Sequence, residues 1–269
     1  MIVSTDQTGR IVRSPTFPQR IISLVPSQTE LLFELGLETC IAGITKFCVH
    51  PETAHRRLTK VGGTKKIHID TIRRLAPDLI IANKEENTRE DIELLDKDYP
   101  VWISDVNDFA SALSMIHAIG LITGTESKAA ELTYEIISGF KALEESIEHF
   151  EIRKKKLNTA YLIWQNPFMT AGRDTFIHAM IEKCGLINAF EDQVRYPVTS
   201  LEEIMARRCD LLLLSSEPFP FSDKHKSGFE KSLHGVKIIC VDGEMFSWYG
   251  SRMKLAPSYF NSLLRQVSG

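Results

Sequence analysis

Apolar residues along the chain fall into two signatures, short continuous runs and stripes at helical spacing, and their order sets the expected architecture. Ile21-Ile22-Ser23-Leu24-Val25 is a continuous run, followed by Pro26-Ser27-Gln28-Thr29 and then by Leu31, Leu32 and Leu35 until Gly36. This predicts a strand, a tight turn and an amphipathic helix, with Ser27 or Thr29 as the N-cap and Pro26 shaping the turn. The free N–H groups of such a helix start suit an anionic ligand edge. Ile41–Ile44 reads as the next strand, followed by a polar loop over 45–66 and a helix carrying Ile69, Ile72 and Leu75 that ends before Pro77. A strand at Asp78–Ala82, a helix over about 88–97 and a strand at Pro100–Ile103 complete this part. Strands and helices alternating at this spacing predict βαβ units with a parallel sheet, and binding residues in loops beyond the carboxyl ends of the strands.

The middle of the chain changes period. From Asp108 to about His149 it reads as helical, with a break at Thr123-Gly124 and then a stripe of Leu132, Ile136, Phe140, Leu143 and Ile147. Thr125 is the expected N-cap, and Glu126 suits the positive helix start. At about 1.5 Å per residue this helix would span roughly 35 Å, the width of a domain, so it reads as a rigid strut between two lobes. The α/β pattern then resumes, with a strand at Thr159–Trp164, a helix over 173–184 ending at Gly185, and a buried strand at Asp210–Leu214. The expected division is an N-terminal α/β lobe over 1–107, a helical connector over 108–156 and a C-terminal α/β lobe over 157–269. HIDTIRRLAPDLIIA (68–82) also echoes SLEEIMARRCDLLLL (200–214) at one offset of 132 residues (202 − 70), which pairs Asp70 with Glu202 and Asp78 with Asp210. Any helix leading into a buried strand shares the hydrophobic part of that echo. The matched acids exceed it.

Composition narrows the chemistry. The chain has 269 residues, a formal charge of −3, 43% apolar and 25% charged residues. There is no basic surplus to condense on nucleic acid or an anionic membrane, and Arg153-Lys154-Lys155-Lys156 reads as a solvated helix end. The five cysteines are scattered singly and read as small core residues in a reduced chain. The N-terminus shows no uninterrupted apolar export segment, and no stretch is long and apolar enough for a span.

A search for catalytic constellations finds none that demands an enzyme. Val25-Pro26-Ser27-Gln28-Thr29 lacks both glycines of a nucleophile elbow, which excludes Ser27 as a hydrolase nucleophile on that pattern. Val61-Gly62-Gly63-Thr64-Lys65 has too few glycines for a phosphate loop, and His50 and His55 lack metal-site spacing. What the loops do carry is aromatic and apolar surface: Phe47; Trp164 with Asn166, Pro167, Phe168 and Met169; Tyr196; Phe219 and Phe221; and Phe246, Trp248 and Tyr249 before Arg252. Planar apolar surface with a few polar groups suits a bulky, partly apolar ligand.

Five stretches, RIISLVPSQTELLFELGL, VGGTKKIHIDTIRRLAPDLIIANKEEN, NPFMTAGRDTFIHAMIEKCGLINAF, VTSLEEIMARRCDLLLL and GSRMKLAPSYFNSLL, are spread in order from residue 20 to residue 264. In these the sequence resembles the helical-backbone, or cluster A-II, solute-binding proteins of ABC importers for cobalamin, haem and ferric siderophores. The resemblance implies two α/β lobes joined by one long helix, a ligand held between them with little hinge motion, and no catalysis. It implies that one exposed carboxylate per lobe, here Asp70 and Glu202, docks onto arginines of the permease dimer; Asp70 is one methylene shorter than the usual glutamate. From the cobalamin-binding members it implies Phe47, Met169, Tyr196, Glu244 and Trp248 as ligand-lining. Thr64 and Asn83 stand where those proteins present tryptophan, and Met169 where they present an aromatic, so cobalamin itself is weakened as the ligand. Asn166 joins this set, and Arg252 would either meet a ligand anion or cap its own loop.

The expectation is therefore a monomeric, non-catalytic binding component of an importer, with no resident cofactor and no bound metal of its own, taking a cobalamin-like corrinoid or an iron chelate. By resemblance it works in the periplasm or at the cell surface. The alternative is a cytoplasmic corrinoid- or metal-chelate-binding protein of the same fold, and a hydrolytic α/β enzyme stands third.

Overall fold

A computed structural model describes residues 1–147 and 156–268. Residues 153–155 of the basic run lie outside the described residues. Contacts divide the chain into two units, one of Met1–Val106, Ala110–Tyr134 and Tyr249–Arg252, the other of Asn107–Phe109, Glu135–Trp248 and Met253–Gly269.

The first unit is built on a five-stranded parallel sheet with the order Thr59–Lys60, Ile41–Ile44, Ile21–Ser23, Leu79–Asn83, Val101–Ser104. Helices cover both faces of such a sheet, so its inner strands read as continuous apolar runs, and all five residues of Leu79–Asn83 are buried. The second unit repeats the plan with Ile187–Asn188, Asn158–Gln165, Leu211–Ser215 and Lys237–Val241 in parallel order, and Phe168–Thr170 added antiparallel to Asn158–Gln165. The protein is thus α/β with one mainly parallel sheet in each unit. The long helix runs Glu126–Ile147, and its stripe of Leu132, Ile136, Phe140, Leu143 and Ile147 is buried as the periodicity requires.

The echo at offset 132 is structural. Helix Ile69–Leu75 leads into strand Leu79–Asn83, and helix Leu201–Ala206 leads into strand Leu211–Ser215. Ala76 and Arg208, at matched positions after the two helices, both have positive φ, 43° and 53°. Asp78 accepts the backbone N–H groups of Gln19 and Arg20 at 2.7 and 2.9 Å, just before the neighbouring strand. Asp210 accepts that of Asn158 at 2.9 Å in the same setting. The side chains of Arg20 and Asn158 then bond the carbonyls that end the two helices, on Leu75 and Ala76 in one unit and on Arg207 and Arg208 in the other. The matched acids Asp78 and Asp210 are therefore braces between a helix exit and the strand beside it.

Two local expectations differ from the structure, and one element has no counterpart in the sequence reading. The first helix, Pro26–Glu34, is capped by Val25 with no side-chain cap, and Pro26 occupies the first turn. Ser27 and Thr29 lie inside the helix, and the Thr29 hydroxyl donates back to Val25 O at 2.9 Å. A proline needs no N–H partner at a helix start, which removes the demand for a polar cap. The loop over 45–66 contains a helix, Glu52–Arg57, which buries only Ala54 and so carries no apolar stripe to read. Residues 2–14 form a hairpin, Ile2–Thr5 against Ile11–Ser14, whose turn is tied by the buried Asp6 carboxylate to Thr8 and Arg10. Its buried positions include Ser4 and Ser14, so hydrophobic alternation is absent.

Candidate functional site

In each unit the chain leaves a central strand to both sides, and ligand positions in such sheets lie beyond the carboxyl ends of the strands at that switch. In the first unit the central strand is Ile21–Ser23. Phe47 follows strand Ile41–Ile44, Thr64 follows Thr59–Lys60, and Asn83 ends Leu79–Asn83. Phe47 is 49% exposed, with the Lys46 ammonium 5.0 Å from its ring centroid. Gly63 lies against that ring: a Cβ there would sit 3.1 Å from the Phe47 Cε2 atom.

Thr64 and Asn83 are buried, and Asn83 acts on its own loop. Its side-chain oxygen accepts the N–H groups of Glu85 and Glu86 at 2.8 and 2.9 Å, and its Nδ2 donates to Ser104 Oγ at 2.9 Å. Asn87, missed in the sequence, ties the loops together: its oxygen accepts from Asn83 N, and its Nδ2 donates to Thr64 O at 3.1 Å and Leu24 O at 3.4 Å. Isolated asparagines carry no periodicity, so only the fold reveals that role.

Tyr249–Arg252 belongs to the first unit although it follows the last strand of the second. Burial drives the pKa of Tyr249 well up, with Glu86 and Glu85 adding to the rise and Ser104 and Ser27 opposing it. Arg252 grips Glu30 of the first helix with two bonds, Nε to Oε2 at 2.9 Å and Nη2 to Oε1 at 2.6 Å. At 9% and 21% side-chain exposure, this bidentate pair anchors the segment. Glu86 lies close by, and its pKa is raised, first by burial and next by Glu85, against the pull of Lys65.

In the second unit the central strand is Asn158–Gln165. Asn166 is exposed just past its end, and Met169 is half-buried on the returning strand. Segment 197–199 bonds back to that strand, Thr170 N to Pro197 O at 3.0 Å and Thr199 N to Phe168 O at 2.9 Å, which places Tyr196 beside it. Trp164 is exposed and meets Phe219 edge to face, with centroids 5.9 Å apart. Glu244 opens the short helix Glu244–Ser247 after strand Lys237–Val241, and Trp248 closes it with 8% exposure. Glu217, not singled out in the sequence, is a half-buried carboxylate beside both; burial raises its pKa, with Glu244 and Asp242 adding to the rise.

Asp70 and Glu202 stand apart from these loops, each in the first turn of its helix, Ile69–Leu75 and Leu201–Ala206. Asp70 has an 88% exposed side chain. Glu202 is exposed too, and its carboxyl pKa is lowered, chiefly by a hydrogen bond with Ser200. Among the described residues no helix is long and apolar enough to cross a membrane, and no three His, Cys, Asp or Glu side chains gather as a metal site.

The sequence model of the periplasmic binding protein family matches residues 21–233. The chain is 27% identical over 259 residues to a vitamin B12-binding protein of Pectobacterium atrosepticum, covering 93% of this chain and 90% of that protein. A solved structure described as a possible iron-binding periplasmic solute-binding protein of Staphylococcus epidermidis superposes with TM-score 0.79 at 25% identity, over 94% of this chain and all of that one (100%). The periplasmic vitamin B12-binding protein of Vibrio cholerae superposes with TM-score 0.78 over 94% of this chain and 98% of its own, at 19% identity, a likeness of fold. The family match covers most of the chain, and the vitamin B12-binding relative is matched over nearly its whole length. The chain belongs to the periplasmic binding protein family and is a binding protein, not an enzyme.

Proposed function

We propose that this protein is the solute-binding component of an ABC-type importer for a cobalamin-like corrinoid or an iron chelate such as haem or a ferric siderophore, working in the periplasm or at the cell surface. The observation that supports this reading is that Phe47, Thr64 and Asn83 in one unit, and Asn166, Met169, Tyr196, Glu244 and Trp248 in the other, lie at the carboxyl ends of strands or on the segments that follow them. The ligands for which the similar proteins are named, vitamin B12 and iron, supply the ligand class. With Thr64 and Asn83 small, polar and buried where aromatic surface was expected of a cobalamin binder, the reading favours no single chelate. Arg252, bound to Glu30, enters as an anchor of the site loop. The protein is mixed with equimolar cyanocobalamin, hemin and ferrichrome and gel-filtered. A protein fraction carrying corrin, Soret or ferric-hydroxamate absorption is the expected result, and a colourless fraction contradicts the reading.

Asp70 and Glu202 are the proposed contacts for the arginines of a permease dimer. Both are exposed acids in a first helical turn, at matched positions of the internal echo. Reversing both charges, Asp70→Lys with Glu202→Lys, is expected to abolish stimulation of permease ATP hydrolysis while ligand affinity is unchanged. Stimulation equal to wild type removes these acids from the docking surface.

A further inference from the structure

We propose, on the reading of Tyr196 as a ligand-lining residue, that Arg195 is a positioning residue: its guanidinium clamps a left-handed turn in the second unit and so sets the direction of Tyr196.

Two short segments meet beside strand Phe168–Thr170, residues 172–175 ahead of helix Phe176–Lys183 and residues 193–197 ahead of helix Leu201–Ala206. Arg173 N donates to Gln193 O at 2.8 Å, Arg195 N to Arg173 O at 2.9 Å and Gly172 N to Arg195 O at 2.7 Å. Gly172 permits this approach, since a Cβ there would sit 2.2 Å from Gln193 O. Pro197 O accepts from Thr170 N at 3.0 Å, so the backbone is fixed on both sides of Tyr196.

Each segment contains one left-handed residue, Asp174 at φ 61° and Arg195 at φ 62°. Aspartate enters this region readily because its short side chain bonds locally, whereas arginine carries the steric cost of its Cβ without that relief. What holds Arg195 there is its own side chain. Nη1 donates to Asp174 O and to Asn107 Oδ1, both at 2.9 Å, so the guanidinium of one left-handed residue grips the carbonyl of the other. Asn107 belongs to the same unit. A guanidinium is planar and permanently charged, which makes it a rigid clamp for two such oxygens. Strain of this kind persists only where surrounding contacts over-determine it, and it concentrates at ligand clamps. Glycine would make the same turn without strain, but without the clamp. Arginine at this position therefore costs stability and fixes the residue that follows it, Tyr196.

The test separates stability from placement. Arg195→Ala keeps the strain and removes the clamp, while Arg195→Gly removes both. The urea midpoint of Arg195→Gly is expected to lie above that of Arg195→Ala; a midpoint below it shows no strain at this residue and overturns the proposal. The chain has six tyrosines, so a carbon–proton spectrum of protein with isotope-labelled tyrosine rings is simple enough for Tyr196→Phe to assign one of them. The Tyr196 signal is expected to move toward that of free tyrosine in both Arg195 variants. Asn107→Ala, which leaves the bond to Asp174 O, is expected to move it part of the way. A Tyr196 signal unmoved in both Arg195 variants overturns the proposal. With cyanocobalamin and hemin as probes, the affinity of whichever binds should fall severalfold in Arg195→Ala and by as much in Arg195→Gly. A merely structural arginine predicts instead that affinity returns with stability in Arg195→Gly, and that result overturns the proposal. If neither probe binds, the functional reading fails while the Tyr196 signal still decides the role of Arg195.

Discussion

Arg252 shows how a residue type fixes chemistry but not address. Arginine at the end of an aromatic loop is equally suited to a ligand carboxylate and to a protein one, and the chain supplies Glu30, 222 residues away in sequence, as its bidentate partner. Arg252→Ala is expected to cost about 2 kcal/mol, below the usual figure for breaking a buried pair because Glu30 keeps some solvent. The urea midpoint measures this, and adding Glu30→Gln should recover part of the loss. Glu217 adds a pH signature. Its folded pKa is raised above the ordinary value, so the stability it contributes is full below that value and is lost as pH rises through the raised one. Urea midpoints across that interval should fall in the wild type relative to Glu217→Gln. The thiols follow the same physics: burial raises Cys48 and Cys184, and takes Cys209 to about 11. Alkylation of the native protein is expected to spare these three and to reach them only in denaturant.

At the scale of elements, the sequence was legible where burial imposes a period. The inner strands, the helices leading into them and the stripe from Leu132 to Ile147 all stand where apolar spacing placed them. Elements held together by polar contacts left no such trace, as in helix Glu52–Arg57 and the hairpin turn around Asp6. The echo lies between these cases. Its hydrophobic pattern is generic, while its acids mark one construction used twice, a carboxylate bracing the neighbouring strand in each unit. Asp78→Ala and Asp210→Ala should each cost about 1 kcal/mol, the scale of a net hydrogen bond. With the two braces in separate units, the losses should add in the double variant when followed by chemical denaturation.

For the whole molecule, the fold follows from alternating strands and helices, whereas the ligand depends on which side chains occupy the strand-end loops. Sequence resemblance implied Phe47, Met169, Tyr196, Glu244 and Trp248 as ligand-lining, but single polar residues that organise the strand-end loops, Asn87 and Glu217, have no pattern around them to betray their role. The central claim is that these loops bind a bulky metal chelate. Its most direct measurement is a titration with cyanocobalamin, hemin and ferrichrome, following tryptophan fluorescence and thermal unfolding together. For a ligand of Kd about 1 μM in hundredfold excess over Kd, the account expects saturable quenching with a stabilisation of about 2.7 kcal/mol. Unchanged fluorescence and an unchanged unfolding temperature with all three would contradict it.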